Sequence, residues 1–249
     1  MNFKTGLQLY SVRDEMAKDM EKTLAAVADM GYEYVEFAGY YGRSSEQLSE
    51  LLRKYSLKCI SVHQSIDFYD SDPESAIAFL KGFGVRYSVI PWYDGNKLAD
   101  DDAWKATAAD FARVSALLEA HDMKLMYHNH DFEFKKKNGA YIHDRIISDV
   151  PGILPQLDTC WVHYAGIDPV VMLEKYSGRV PVVHLKDFVC RNLAAGPVYA
   201  LIDSEGNAKG GSLEDTGFDY RPLGQGIQDI PAILRACERA GTEYIIVEQ

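Results

Sequence analysis

The sequence contains no long hydrophobic run, no closely spaced pair of cysteines and no excess of positive charge. No apolar stretch approaches the roughly 18 residues of a membrane-spanning helix, and the N-terminus lacks the pattern of a secretory signal. The four cysteines lie far apart without a CxxC spacing, which predicts reduced thiols and a cytoplasmic location. A formal net charge of −11 disfavours a surface for the phosphate backbone of nucleic acid. We therefore expect no membrane and no nucleic-acid partner.

What the sequence does contain is a regular alternation of strand-like and helix-like segments. Its 249 residues, 47% hydrophobic and 25% charged, are enough for a sizeable core. Strands are predicted at 5–12, 34–38, 58–63, 87–91, 124–134, 153–158, 180–186 and 244–248. Helices are predicted at 19–30, 45–55 (capped by Ser45), 73–84, 101–121, 143–150, 169–176 and 227–240. Eight strands alternating with helices predict an α/β fold, a single (β/α)8 TIM-barrel domain over residues 1–249.

Two features depart from this pattern. The sequence ends at Gln249, directly after the eighth strand, so the chain is expected to lack the helix that would cover that strand. Residues 188–222 are rich in glycine and mixed charge, and they follow the seventh strand at the barrel mouth. Because long loops of compact domains are usually functional, we predict a lid or a subunit contact, the latter making a homo-oligomer.

The fifth predicted strand changes from an apolar segment to a polar end. Side chains of a strand alternate between its faces, so His128 and His130 point one way and Asn129 the other. The active sites of such barrels lie at the C-terminal ends of the strands. A histidine-rich loop without a function is the alternative, and three later strand ends that repeat the pattern disfavour it.

Polar side chains end most of the other strands as well. The candidates, in chain order, are Glu36, His63, His128, His130, Glu133, Asp158, His184, Lys186 and Glu248. The carboxylates and imidazoles on strands five to eight suit one divalent cation, such as Mn, Co, Mg or Zn. Asp158 could instead cap a turn, and His184 could be a core histidine. Glu36 and Glu248 close apolar strands, where an unpaired carboxylate would be costly.

Several motifs resemble the xylose-isomerase-like barrel superfamily, the sugar phosphate isomerase/epimerase group that also includes inosose dehydratases, ketose 3-epimerases and endonuclease IV. They are GLQLYSVRD at 6–14, YHNHDFEF at 127–134, LDT at 157–159, VHLKD at 183–187, LGQG at 223–226 and VEQ at 247–249. The resemblance implies one divalent metal held by Glu, Asp, His and Glu on strands five to eight. Asp158, His184 and Glu248 match the last three positions. Glu133 is assigned to the first position, with His128 as the alternative, because histidine precedes Asn129-His130 where many relatives carry glutamate.

The resemblance also implies an enzyme that moves a proton next to the carbonyl of a small sugar or keto-sugar. The candidate acids and bases are Glu133, Glu248, His128 and His130, and Lys186 could stabilise an enolate oxygen. The candidate substrate-binding residues are Glu36, His63, Gln8 and Tyr10, and Tyr10, Trp92 and Trp161 could wall the pocket.

Isomerase or epimerase is the first expectation for the reaction. The alternative is a dehydratase or lyase that acts on a keto-sugar, an inosose or a 3-keto-glycoside, because the motif at 127–133 is similar to such enzymes. A non-catalytic sugar-binding protein is the rival from another class. The acidic charge and the small number of further ligand-type residues disfavour an endonuclease with several metals.

Overall fold

The computed structural model describes residues 2–193 and 217–249. Eight parallel strands form a closed barrel, which confirms the predicted fold class. In chain order they are Lys4–Gln8, Tyr34–Phe37, Lys58–His63, Tyr87–Ile90, Lys124–His128, Leu154–Asp158, Val182–Leu185 and Tyr244–Val247. We call them the first to eighth barrel strands. Each pairs with the next, and the first pairs with the eighth, so the strand ends gather at two faces of one barrel.

The helices surround this barrel. They span Arg13–Lys18, Met20–Asp29, Ser45–Lys54, Pro73–Gly82, Gly95–Ala99, Asp101–Glu119, Ile142–Asp149, Thr159–Tyr164, Pro169–Lys175 and Ile230–Ala240. Side-chain caps fix several helix starts. Ser44, rather than the predicted Ser45, caps its helix, because the extended Ser44 lets its hydroxyl accept the Gln47 N–H.

Most predicted strands end within two residues of the observed bounds, but the first and the fifth are shorter by several residues. The first ends at Gln8 because Leu9–Val12 form a 3₁₀ turn, in which Gln8 Oε1 accepts the Tyr10 N–H at 3.0 Å. The fifth ends at His128, and a 3₁₀ turn over Phe132–Phe134 follows it. These turns take the chain away from the strand direction, so alternation no longer predicts where later side chains point.

The interior of the barrel is apolar near the strand starts and polar near their ends. Met126 belongs to a buried apolar cluster inside the barrel, and His128 follows it on the same face. Val182 and His184 repeat the arrangement on the seventh strand. A second and larger apolar cluster packs the strands against the helices. The polar layer at the mouth therefore rests on packed apolar side chains, each stabilising the fold by roughly 1.5–3 kcal/mol when fully buried.

A short hairpin follows the seventh strand at the mouth. Asp187–Val189 pairs antiparallel with Asp219–Arg221, so the described ends of the predicted excursion at 188–222 lie side by side. The predicted lid or subunit contact concerns mainly residues 194–216, which lie outside the described residues. A second hairpin joins Lys136–Lys137 to Ala140–Tyr141.

Two further observations bear on the expectations from composition. All four cysteines are free thiols, as predicted. Within residues 2–193 and 217–249, no helix combines the length and apolar character that a membrane crossing requires.

Candidate active site

Four polar side chains at the ends of the fifth to eighth barrel strands converge at the mouth of the barrel. His128, Asp158, His184 and Glu248 each present one ligand-type atom, and these atoms lie within 4.8 Å of one another. His128 Nε2 is 4.0 Å from Asp158 Oδ2, and His184 Nδ1 is 2.8 Å from Glu248 Oε2. We call these four residues the ligand cluster. It contains the three predicted ligands Asp158, His184 and Glu248, with His128 from the fifth strand as the fourth member.

Glu133, predicted as the first ligand, is placed outside the ligand cluster. Its Oε1 accepts the Tyr127 hydroxyl at 2.8 Å, and its Oε2 accepts the His130 backbone N–H at 2.8 Å. Tyr127 precedes His128 and therefore points to the opposite, helix-facing side of the strand. Burial raises the pKa of Glu133 to about 8. Glu133 thus holds the turn that carries His130, and its alternative, His128, occupies the cluster.

Lys186 lies beside the cluster and pairs with both of its carboxylates. Its Nζ is 3.1 Å from Asp158 Oδ2 and 3.2 Å from Glu248 Oε2. Burial by itself would lower the pKa of Lys186, but the two carboxylates hold it well above the usual value. Burial would likewise raise the pKa of Glu248, yet Lys186 and His184 hold it well below. The site therefore stabilises positive charge inside the barrel, which a cation also requires.

Hydrogen bonds to both the side chain and the backbone of Asp158 fix its orientation. Its Oδ1 caps the helix Thr159–Tyr164, accepting the N–H groups of Cys160 and Trp161 at 2.9 and 3.1 Å. The Asn129 amide binds the backbone of Asp158, donating to its carbonyl at 3.3 Å and accepting its N–H at 3.0 Å. Oδ2 is left to face His128 and Lys186. Asp158 therefore caps a helix and also belongs to the ligand cluster, so the two sequence-based alternatives are both part of one arrangement.

Glu36 lies fully buried beneath the cluster. Five polar side chains surround its carboxylate, namely Gln8, Ser61, His63, Gln156 and His184. Burial would raise the pKa of Glu36, but His63 and His184 hold it well below the usual value. In the other direction, burial would lower the pKa of His184, whereas Glu36 and Glu248 raise it to about 10. An ionised Glu36 thus stabilises the protonated form of the His184 imidazole above it.

The four predicted substrate-binding residues have different surroundings. Gln8 and Glu36 are fully buried, and the Gln8 amide is bonded to Glu36 and to the backbone of Tyr10. This placement favours a positioning role for both residues over contact with a substrate. The His63 side chain is 10% exposed, with Nε2 3.0 Å from Gln156 Oε1. Tyr10 is 46% exposed on the loop after the first strand.

His130 lies next to the ligand cluster with an aromatic environment. Its ring is 5.0 Å from that of His128, is parallel to Phe132 at 6.0 Å, and is 5.8 Å from Trp161. Burial, reinforced by the positive charge of Lys186, lowers the pKa of His130 well below its usual value. A neutral imidazole at this position can accept a proton.

Two site residues were missed by sequence reasoning. Gln156 bridges Glu36 and His128, and its position two residues before Asp158 on the same strand face could have indicated it. Tyr220 lies on the hairpin strand Asp219–Arg221, with its ring centre 5.6 Å from Lys186 Nζ. Lys186 Nζ is also 5.4 Å from the ring centre of Trp161, which was predicted to wall the pocket. No local sequence signal marked Tyr220, because its place depends on the pairing of this hairpin.

The donor types of the ligand cluster fit a divalent cation. Two imidazoles and two carboxylates form a ligand set that suits Zn, Mn or Co. The two carboxylates already bind a positively charged group, the ammonium of Lys186. A second combination of His63, His128 and His184 also brings three ligand atoms within 4.8 Å. In that combination, His63 Nε2 also contacts Glu36 and Gln156.

The sequence has curated relatives among inosose dehydratases. Inosose dehydratase of Clostridium perfringens is 23% identical over 231 residues, which are 84% of this chain and 78% of the relative. The chain spans a smaller share, 61–63%, of the further inosose dehydratases that match.

The fold has close structural counterparts. A sugar phosphate isomerase/epimerase from Parabacteroides distasonis superposes with a TM-score of 0.75 and 21% identity, covering all of this chain and 87% of that one. The IOLI protein, solved with a bound zinc atom, superposes with a TM-score of 0.65 and 16% identity, covering 99% and 88%. At these identities the structural likeness speaks for the fold alone. The sequence model of one family matches residues 24–249, and the chain therefore belongs to the family of xylose isomerase-like TIM barrels.

Proposed function

We propose that this protein is a metal-dependent isomerase or epimerase that moves a proton next to the carbonyl of a small sugar or keto-sugar. The observation that carries the proposal is the ligand cluster of His128, Asp158, His184 and Glu248, with the Lys186 ammonium beside it. The zinc atom of the IOLI protein and the isomerase/epimerase among the structural counterparts support it.

The four residues of the ligand cluster would hold one divalent metal, with His128 rather than Glu133 in the first position. When bound at such a site, a divalent cation acts as a Lewis acid that polarises a carbonyl oxygen. The carboxylates of Asp158 and Glu248, both paired with Lys186, and the neutral His128 supply the oxygen and nitrogen donors that a cation needs. Metal analysis of the purified protein should distinguish Mn, Co, Mg and Zn.

The proton is moved by side chains that border the cluster. We assign proton removal to an imidazole nitrogen of His130, because this buried ring is neutral and next to His128. Glu248, whose side chain is partly exposed, is the other candidate base. Lys186 Nζ keeps its proton and can stabilise an oxygen that gains negative charge. Trp161 and Tyr220 reduce access of water to this ammonium group.

Dehydration of a keto-sugar or inosose is the second candidate reaction. The curated inosose dehydratases favour it, and the Lys186 ammonium could stabilise a departing hydroxyl by a hydrogen bond. The proton taken up by the base would leave with that hydroxyl as water. Both reactions begin with the same proton removal, so they differ only in what happens to the enolate. A non-catalytic sugar-binding protein is the rival from another class.

A panel of keto-sugars, inososes and 3-keto-glycosides, followed by NMR in deuterated water, tests these proposals. Solvent deuterium at one carbon with a changed configuration supports an epimerase or isomerase, and loss of a hydroxyl supports a dehydratase. The protein should be compared as purified, after chelation, and after metal is returned. Sugar binding without any exchange in the metal-loaded protein would instead favour the binding protein.

Two matched variants sharpen the assignment. His130→Asn should abolish deuterium exchange while metal content is kept, because His130 is outside the ligand cluster. His121→Asn removes an imidazole near the end of the helix Asp101–Glu119, on the other side of the barrel, and should leave exchange unchanged. Exchange that survives His130→Asn would transfer the base role to Glu248.

The remaining expectations about setting are part of the same proposal. A sugar substrate fits the family, and the free thiols accord with a cytoplasmic location. Assembly into a homo-oligomer stays a prediction, which sedimentation of the purified protein would test.

A further inference from the structure

A chain of hydrogen bonds beneath the ligand cluster has a direction that follows from one group. An ionised carboxylate only accepts hydrogen bonds, whereas a glutamine amide has one donating end and one accepting end. Gln156 Nε2 is 2.6 Å from Glu36 Oε2, so the amide NH₂ must face Glu36. The amide oxygen of Gln156 therefore faces the other way, 3.0 Å from His63 Nε2 and 3.2 Å from His128 Nδ1.

The direction of this chain determines which nitrogen of His128 carries the proton. An amide oxygen cannot donate, so the Nδ1 atom that faces it must carry the hydrogen. A neutral imidazole has one N–H and one lone pair, which leaves the lone pair on Nε2. Nε2 is the atom that lies 4.0 Å from Asp158 Oδ2, inside the ligand cluster. The lone pair of His128 is thus directed at the place where the other ligands converge.

Glu36 also fixes a hydrogen on one nitrogen of His184, and it does so by direct contact. His184 Nε2 lies 2.6 Å from Glu36 Oε1, so this nitrogen keeps a hydrogen. The other nitrogen, Nδ1, faces Glu248 Oε2 at 2.8 Å and is the atom that the cluster can use. A carboxylate that accepts the second N–H of a ligating histidine typically fixes both its ring orientation and its tautomer.

We propose that Glu36 and Gln156 are positioning residues that fix a hydrogen on Nδ1 of His128 and on Nε2 of His184, so that the other nitrogen of each ring faces the same point. The inference deepens the proposed metal site and rests on it for its purpose. The proton position on His128, however, is a property of the metal-free protein and can be measured without metal. Glu36 thus controls two imidazoles, one directly and one through the amide of Gln156.

The first test is ¹⁵N NMR of metal-free protein labelled at histidine, with the His128 signals identified by their loss in His128→Asn. We expect a protonated Nδ1 and an unprotonated Nε2. A protonated Nε2 on His128 in the unaltered protein overturns the proposal. This measurement needs no substitution of Gln156 and therefore holds even if such a variant fails to fold.

The second test compares two glutamine-to-methionine substitutions. Gln156→Met removes the acceptor of His128 and a donor to Glu36, whereas the control, Gln64→Met, removes a bond with the Tyr40 hydroxyl. We expect Gln156→Met to lose the single tautomer of His128 and to weaken zinc binding about 10–100-fold, the usual effect of losing such a partner. Gln64→Met should keep the His128 tautomer and bind zinc within about threefold of the unaltered protein.

The outcomes separate this inference from the proposed function. If Gln156→Met keeps the tautomer, or if both variants weaken zinc binding equally, the positioning role is wrong. If His128 shows the expected tautomer but the protein binds no divalent metal, the positioning role stands and the proposed metal enzyme is wrong.

Discussion

Replacing Lys186 by methionine removes the ammonium group between Asp158 and Glu248 while keeping a chain of similar length. The ammonium nitrogen lies 3.1 and 3.2 Å from oxygens of these two residues, which are also candidate metal ligands. A divalent cation bound to the same oxygens would therefore be repelled by the positive charge of the Lys186 side chain. We expect opposite effects of this substitution on metal affinity and on catalysis.

The magnitudes follow from charge and burial. Two unit charges about 4 Å apart interact by about 4 kcal/mol at an effective dielectric constant near 20. Because a lysine chain can partly move away, we expect Lys186→Met to tighten zinc binding by about tenfold, or ~1.4 kcal/mol. Removing one partner of a buried ion pair typically costs about 3–5 kcal/mol. The metal-free variant should lose roughly this much unfolding free energy at neutral pH and regain stability when zinc is added.

Turnover should fall despite the tighter metal binding. The variant has no ammonium group to stabilise an oxygen anion, and we expect a loss of at least about 100-fold, the lower range for one such donor. Zinc affinity is measured by competition with a chelator, and stability by urea unfolding with and without zinc. Lys175→Met is the matched control, because Lys175 pairs with Asp144 at the partly exposed outer surface. Zinc binding by Lys186→Met that is equal to or weaker than that of the unaltered protein would refute this reasoning.

Three further predictions concern groups around the site. The pKa of Glu133 is raised to about 8, so its stabilising effect is complete below the unfolded pKa near 4.5 and is lost as pH rises toward 8. Glu133→Gln, which mimics the protonated form, should therefore gain unfolding free energy relative to the unaltered protein between pH 5 and 8. It should also keep zinc affinity, and a strong loss would return Glu133 to the ligands. Tyr220→Leu should lower kcat/KM by about 10-fold, the size expected for a cation–π contact of a partly exposed ring, with unchanged zinc content by metal analysis. Gly226→Ala should lower the midpoint of urea unfolding, because the added Cβ would lie 2.1 Å from Asp187 Oδ1. The Asp187 carboxylate anchors this loop by accepting hydrogen bonds from several of its N–H groups. An unchanged midpoint would show that the loop can shift freely.

The alternation of strands and helices was determined by the sequence alone. Local signals suffice for it, because apolar periodicity and caps act over a few residues. Three of the four cluster residues were also predictable. Asp158, His184 and Glu248 lie at or next to the C-terminal ends of mainly apolar strands, and a closed parallel barrel brings such ends to one face whatever the exact packing.

Only the tertiary structure shows that His128 lies in the ligand cluster and Glu133 outside it. The alternation of side chains holds to the end of a strand, and the 3₁₀ turn over Phe132–Phe134 breaks it. That turn lets Glu133 reach Tyr127 on the far side of the strand, so His128 is left in the cluster. No pattern in the seven residues from Tyr127 to Glu133 predicts which of the two side chains lies in the cluster.

The contacts of Glu36, Gln156 and Tyr220 likewise join distant parts of the chain. Glu36 and Gln156 are 120 residues apart in the chain and meet across the barrel interior. An unpaired carboxylate there would be costly, so the Glu36 oxygens accept hydrogen bonds from surrounding donors. Tyr220 reaches Lys186 through the pairing of a hairpin whose strands begin at Asp187 and Asp219. Sequence determines which groups are available at the mouth of the barrel, and the distances between strands determine which of them touch, because hydrogen bonds and ion pairs act only over a few ångströms.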